Sequence, residues 1–297
     1  MPSKVKRTGG NFDPNEKHLY FVASNANNLS HVEDITRNML IAVNEITSES
    51  VVEWVRHIVN VKGQRLFIDS GVFNLAMEHS RAHDVPMDIA LSVAPDEIDG
   101  FDELFERYVR ILRDVGDQAW GYIEIDQGGR ENKIKTRKRL EGLGLKPIPV
   151  YHPLNDGWDY FDYLASHYDR ICFGNVVQAE PDVRKRLIAT MWQRKQKYPK
   201  LWIHLLGVSP YTIMYSFPSS SSDSSSWLTH VRWANMTDFA MLQPILKLGE
   251  EFNYQLKSDP LSPVGHYKAR ALGAYSSVFM QNDWNHYLDR LKEEGLL

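Results

Sequence analysis

SSSSDSSSWL, residues 219–228, sets seven serines around a single aspartate, and its reading decides the fold. Taken alone, a serine-rich tract is a flexible, solvated linker. This one is short, contains no glycine, and lies between the apolar segments LWIHLLGV (201–208) and WLTHVRWANM (227–236). As a linker it would divide the chain. As a strand ending followed by a loop, it would complete the pattern that precedes it.

That pattern is an alternation. HLYFVA (18–23), RLFIDS (65–70), WGYIEID (120–126), PIPVYHP (147–153), RICFGN (170–175) and LWIHLLGV read as buried strands, rich in Ile, Val and aromatics and ending in polar residues or glycine. Between them lie helical stretches: HVEDITRNMLIAV (31–43), SESVVEWVRHIV (48–59), DELFERYVRILRDV (102–115), ENKIKTRKRLEGLG (131–144), DYFDYLASHY (159–168) and PDVRKRLIATMWQRKQ (181–196). Ser48 supplies a start signal, and the glycines after Leu140 supply a stop. Strand–helix alternation implies a parallel sheet with right-handed crossovers, either open or closed. No G-x-G-x-x-G or G-x-x-x-x-G-K-[ST] follows the first strand, which disfavours an open nucleotide-binding sheet. The expectation is an α/β fold, a (β/α)8 TIM-like barrel in one domain over 1–297. Its core would span about 18–240, with a helical region from about 241 to 297.

In such a barrel the residues just after each strand face the active site. Those endings are Asp69-Ser70-Gly71, Asp126-Gln127-Gly128-Gly129, Tyr151-His152, Gly174-Asn175, Leu206-Gly207-Val208 and Asp223-Ser224. Three of the six carry a carboxylate.

Composition bounds the rest. The 297 residues are 43% hydrophobic and 24% charged, ordinary for a folded soluble chain. No run reaches the roughly 18 apolar residues of a membrane span, and MPSKVKRTGG has no signal-peptide centre. A cytoplasmic protein, one encoded by a virus included, is the expectation. The lone cysteine, Cys172, excludes an internal disulfide and any multi-cysteine metal cluster. Net charge is −4, but the charges are segregated. PDEIDGFDELFE (95–106) is acidic, whereas KIKTRKR (133–139), RKR (184–186) and RKQK (194–197) are basic. Each basic run is either a solvated helix face or a phosphate-binding surface. His79 and His83, four apart with no acid between them, read as a solvated helix face rather than a metal site.

IDSGVFNL (68–75) resembles the aspartate–serine–glycine–glycine–phenylalanine signature of the tRNA-guanine transglycosylases. HLLGVSP (204–210) followed by DSSSW (223–227) is similar to their leucine–glycine–valine–glycine strand and the nucleophilic aspartate after it. RICFGN fits the glycine pair behind the guanine ring, and YIEIDQ fits the base-reading strand. The blocks run in the family's order from about 18 to 240. The three-cysteine zinc site of the tRNA enzymes is missing here. The resemblance is therefore closest to the compact enzymes that insert 7-deazaguanines into phage and bacterial DNA.

That resemblance implies exchange of guanine in DNA for a 7-deazaguanine base, with no cofactor and no metal. The DNA guanosine would be flipped out or single-stranded. Asp223 would be the nucleophile and Asp69 the general acid/base, because exchange at C1′ with retention needs two inversions and a proton shuttle. The serines would hold Asp223 ionised and oriented. Asp126 would accept from guanine N1–H and the exocyclic amine, or cap a helix. Ser70, Gly71, Phe73, His152, Gly174, Asn175, Leu206 and Gly207 would line the base pocket, with Phe73 stacking on the ring. His152 stands where the tRNA enzymes carry glutamine and is equally readable as structural. Lys135, Arg137 and Arg139, with exposed aromatics such as Trp158, Trp192 or Trp233, would grip the strand. Exchange on tRNA, a catalytically silent nucleic-acid-binding barrel and a hydrolase of small N-glycosides remain alternatives.

Overall fold

The computed structural model describes residues 5–209, 212–228 and 263–297; Trp233 and the stretch 241–262 lie outside the described residues. Eight parallel strands form one sheet. They are β1 (Leu19–Ala23), β2 (Asn38–Ala42), β3 (Arg65–Asp69), β4 (Gly121–Tyr122), β5 (Val150–Tyr151), β6 (Arg170–Phe173), β7 (Trp202–Leu205) and β8 (Ser221–Ser224). Their spatial order is β4-β3-β2-β1-β8-β7-β6-β5. The two ends meet at a parallel bridge between Ile123 and Ile148, where the Ile148 amide donates to Tyr122 O at 2.8 Å and the Glu124 amide donates to Ile148 O at 3.0 Å. The sheet thereby curls round on itself, as a TIM-like barrel requires.

Helices cover the outside. They are α1 (Ala26–Ser30), α2 (Glu49–Asn60), α3 (Val72–His83), α4 (Met87–Ser92), α5 (Phe101–Val115), α6 (Gly129–Gly142), α7 (Trp158–His167), α8 (Pro181–Lys195), α9 (Thr212–Ser216) and α10 (Pro263–Glu293). α3 and α4 form an extra pair between β3 and α5. Ser48 caps α2, its hydroxyl accepting from the Val51 amide, and α6 ends at Gly142. Asp102 and Glu103 occupy the first turn of α5, where a helix N-terminus favours anions.

Strand alternation sorts the apolar residues into two shells. Tyr20, Val22, Met39, Ile41, Leu66 and Ile68 point outward under the helices of one half of the barrel. Tyr151, Ile171, Phe173, Ile203 and Leu205 do so in the other half, joined by Trp284 and Leu288 of α10. The inward positions Leu19, Phe21, Leu40, Phe67, Trp120, Ile123, Ile148, Val150, Cys172 and Trp202 fill the lumen with Phe12 of the N-terminal segment. Trp120 packs edge-on to Phe67 and Phe12 with centroids 5.0 and 5.4 Å apart. Arg170, buried beside them, donates to Thr8 Oγ1 and to the Trp120 and Gly9 carbonyls, tying the N-terminal segment to the barrel floor.

Three sequence expectations change. NMLIA, taken within a helical stretch at 31–43, is β2; its five residues pair with β3 from Asn38↔Arg65 to Ala42↔Asp69. A short apolar run fits either period, and pairing decides it. The serine tract is neither linker nor loop at its centre: β8 is a buried strand between β1 and β7. Serine has little preference for strands, so backbone bonds and neighbours hold it there.

KIKTRKR is likewise not a uniform solvated face. Lys133 and Arg137 are buried on the side of α6 that packs against the barrel wall. Lys133 Nζ lies 2.6 Å from Asp156 Oδ2, and Arg137 pairs with Glu124 at 2.9 Å and with Tyr160 Oη at 3.0 Å. Arg137 therefore cannot reach a phosphate, because its guanidinium already neutralises a wholly buried carboxylate. Burial pushes Glu124 up to about 7, against the pull of Arg137 and Lys133. Arg137→Ala should cost about 3–5 kcal/mol in urea unfolding, since it strands a buried carboxyl. The loss should be level from pH 5 to about pH 6 and grow towards pH 8, where the wild-type Glu124 ionises beside Arg137 and the variant's does not. Without Arg137, the folded pKa of Glu124 lies still further above its unfolded value of about 4.3, so folding takes up a proton that becomes scarcer as pH rises.

Candidate active site

The same alternation that fills the lumen places the site. Asp69, His152, Gly174, Leu206 and Asp223 each follow a lumen residue by two positions: Phe67, Val150, Cys172, His204 and Ser221. They form the last inward layer before the C-terminal mouth of the barrel. Asp126 reaches the same mouth from the end of the β4 segment.

Asp223 is buried, and its Oδ1 accepts from the Gly207 amide at 3.0 Å and stands 3.1 Å from His204 Nε2. Gly207 has φ +72°, a left-handed turn that aims its N–H at the carboxylate. Of the serines, Ser220 Oγ accepts from the Ile203 amide at 3.2 Å, and Ser224 donates to Ser226. Ser221 bonds His204 and Trp202. The serine shell thus holds β8 to its neighbours and acts on Asp223 through His204, instead of donating to the carboxylate directly.

Asp69 ends β3. Burial pushes its carboxyl up to about 7, with Asp126 and Asp223 adding to the rise and the Ser70 and Gly71 amides opposing it. Gly71 (φ +84°) turns the chain into α3; a Cβ there would lie 2.6 Å from Asn44 Oδ1. Asp126 goes the other way. Its burial would raise it, but His152 Nε2, 2.7 Å from Oδ2, together with the charges of His152 and Lys133, holds it below the ordinary carboxylate range. His152 is buried in turn, its amide donating to Asp156 Oδ2 at 2.9 Å. The Gly174 position leaves room for that imidazole, because a Cβ there would approach His152 Cδ2 at 3.1 Å.

Around these acids the rim is apolar. Phe73 is 50% exposed at the start of α3, and Leu154 and Val177 are about as open on the loops after β5 and β6. Ser70 is fully buried; its hydroxyl approaches the Val72 amide at 3.5 Å, closing the turn. Asn175 (φ +49°) donates to Asn155 Oδ1 at 2.7 Å, which favours turn closure, while its own Oδ1 is buried without a partner. Gln127 pins α4 to the mouth through the Ala90 and Val93 carbonyls, both at 2.8 Å.

The expected polymer contacts are mixed. Lys135 and Arg139 are exposed on α6, Arg139 lying 3.8 Å over the Phe105 ring. Arg184 is committed to the carbonyls of Val176, Val177 and Ala179. Arg194 pairs with Asp162 at 2.6 Å and covers Trp158, which packs against Tyr151 and Phe161. Trp192 is half-buried on α8. Sequence reasoning missed His204, a strand residue inside an apolar run. Its only sequence signal was its place two positions before Leu206, which makes it inward-facing.

No family model and no curated protein matches this sequence. Solved structures to which this chain is similar include a protein of Aquifex aeolicus VF5, 12% identical, with a TM-score of 0.48 over 88% of this chain and 94% of that one. Tryptophan synthase from M. tuberculosis is 8% identical, with a TM-score of 0.46 over 92% and 99%. Orotidine 5′-monophosphate decarboxylase from Sulfolobus solfataricus is 11% identical, with a TM-score of 0.40 over 80% and 100%. At these values the likeness says nothing about activity. Among the described residues no helix is long and apolar enough to cross a membrane, and no three His, Cys, Asp or Glu side chains group to hold a metal ion.

Asp69→Asn should stabilise the protein at pH 8 by about 1–3 kcal/mol and change nothing near pH 4, measured by denaturant titration across pH. A folded pKa near 7 against an unfolded value of about 3.9 means the wild type loses stability as pH rises through that window. The amide has no charge to bury. Equal stabilisation at both pH values would refute the raised carboxyl.

Proposed function

We propose that the protein exchanges guanine in DNA for a 7-deazaguanine base by double displacement through a glycosyl–aspartate intermediate. The observation that carries this reading is three carboxylates at one barrel mouth in three different electrostatic settings. Asp223, held on one oxygen by N–H donors, suits a nucleophile. Asp69, poised near 7, can give up and take back a proton at neutral pH. Asp126, kept ionised by His152, suits a purine edge that presents two N–H groups.

In the first displacement an Asp223 oxygen forms a bond to C1′ as the C1′–N9 bond breaks. The electron pair leaves with guanine, which takes a proton from Asp69. In the second, the incoming base gives its N9 proton to Asp69 and its electron pair to C1′, and the pair of the ester bond returns to Asp223. Two inversions leave the configuration unchanged. Phe73, Leu154, Val177 and Leu206 offer a flat base apolar surface, while Gly174 and Gly207 make room for the His152 ring and the Val177 side chain that face it. A base in this mouth must have left its stack. A single cysteine, Cys172, cannot supply the three-cysteine zinc site of the tRNA enzymes, which favours the DNA branch of the resemblance over the tRNA branch. Lys135 and Arg139 remain the proposed phosphate contacts, without Arg137.

Mass-tagged guanine or a 7-deazaguanine should be incorporated into DNA oligonucleotides by the wild type. Asp223→Asn should lower incorporation on the order of 10³-fold or more with the fold intact. Rapid denaturation without incoming base should leave a protein–DNA ester at Asp223, absent from that variant. Incorporation into tRNA alone would replace DNA as the substrate, and an ester at Asp69 would exchange the two roles. Lys135→Ala with Arg139→Ala should reduce the salt slope of DNA binding by about one unit per lost contact.

A further inference from the structure

Asp223 stands at the top of a hydrogen-bonded column that runs into the barrel lumen. Trp202 Nε1 donates to Ser221 Oγ at 2.7 Å, Ser221 Oγ lies 2.9 Å from His204 Nδ1, and His204 Nε2 lies 3.1 Å from Asp223 Oδ1. An indole nitrogen can only donate. Ser221 accepts that bond and has one proton of its own to place, and the His204 nitrogen is there to take it. Nδ1 is then the acceptor, so the neutral ring carries its proton on Nε2, facing the carboxylate. The opposite tautomer would set a ring lone pair against a carboxylate lone pair.

The ring is also fixed sterically. His204 is 1% exposed; Phe67 meets it edge-on with centroids 4.7 Å apart at 88°, and Phe21 lies 5.9 Å away at 72°. Both donors to Asp223, His204 Nε2 and the Gly207 amide, converge on Oδ1. Oδ2 accepts no hydrogen bond from the described residues.

We propose that His204 is the positioning residue of the nucleophile: as the Nε2–H tautomer set by Trp202 and Ser221, it holds Oδ1 and so assigns Oδ2 to attack C1′. This rests on the base-exchange reading above. When the ester forms through Oδ2, Oδ1 becomes its carbonyl oxygen, still bonded to both N–H groups. When the incoming base displaces the ester, the electron pair returns to a carboxylate whose donors are already in place, so no reorganisation is needed at that moment. His204 touches neither base nor sugar, and its loss acts on turnover, not on binding.

Two measurements on the full chain test this. Imidazole 15N–1H correlation spectra of the 15N-labelled wild type, at a pH where His204 is neutral, should give an unprotonated Nδ1 and a protonated Nε2; the reverse pattern overturns the relay. In guanine exchange on DNA, His204→Phe should lower kcat by about 100-fold with KM for the oligonucleotide little changed. His204→Gln, whose side-chain amide can still donate, should recover much of the loss. Unchanged kcat in His204→Phe, an effect on KM alone, or a Gln variant no better than Phe overturns the proposal. Should His204→Phe not fold, Ser221→Ala keeps the ring and removes its Nδ1 donor; kcat should fall several-fold and the single tautomer should be lost, and unchanged values overturn it. If the wild type exchanges base in neither DNA nor tRNA, the reaction reading falls, while the tautomer still decides whether the relay exists.

Discussion

Closure of a parallel sheet is the constraint from which the rest follows. Once β4 and β5 meet at Ile123 and Ile148, every second side chain of each strand points into a lumen with no route to water except the two ends. Aromatic and aliphatic residues fill the lower layers, and Phe12 with Arg170 seals one end. The other end is left to the strand termini, the one place where polar side chains can share a site while resting on a dry floor. The raised carboxyl of Asp69 is the direct result: burial above an apolar base makes its charge costly, and the two neighbouring aspartates add to that cost.

Buried charge in the wall serves the mouth indirectly. Lys133 holds Asp156, and Asp156 accepts the His152 amide, so the loop after β5 is fixed from beneath. His152 can then hold Asp126 in its ionised state. Arg137 and Glu124 brace the adjoining stretch, with Glu124 also accepting from the Val150 amide at 2.7 Å. Such pairs add little net stability over apolar residues of the same volume, but removing one partner is expensive. Their effect here is to fix the orientation of a loop. One aspartate sits on that polar strut and another on an apolar floor, so neighbours of one residue type acquire opposite protonation tendencies.

Six strands were legible because their apolar runs end in polar or glycine residues, and those endings pointed to Asp69, Asp126, His152, Gly174 and Leu206; Asp223, on a serine strand with no apolar run, was legible only through the tract's flanks and the resemblance. Legibility failed where local pattern and tertiary context disagree. NMLIA lies inside an amphipathic stretch and declares itself a strand only by pairing with β3. KIKTRKR reads as a charged face because a helix pattern cannot know that Glu124 and Asp156 wait beneath two of its cations. Trp158 reads as a free aromatic, yet it is packed among rings and covered by Arg194.

The sequence by itself determined most of the alternation of strands and helices and the residues that end the apolar strands, since both depend on periods of two and 3.6 along the chain. The tertiary structure decided which ends share a mouth, which cations are buried, and which donor faces which carboxylate. Asp126 and His152 are 26 residues apart, and His204 and Asp223 are 19 apart. Such bonds carry no local periodicity. They exist because sheet closure brings distant strand ends to one level and leaves their inward side chains no water to turn to.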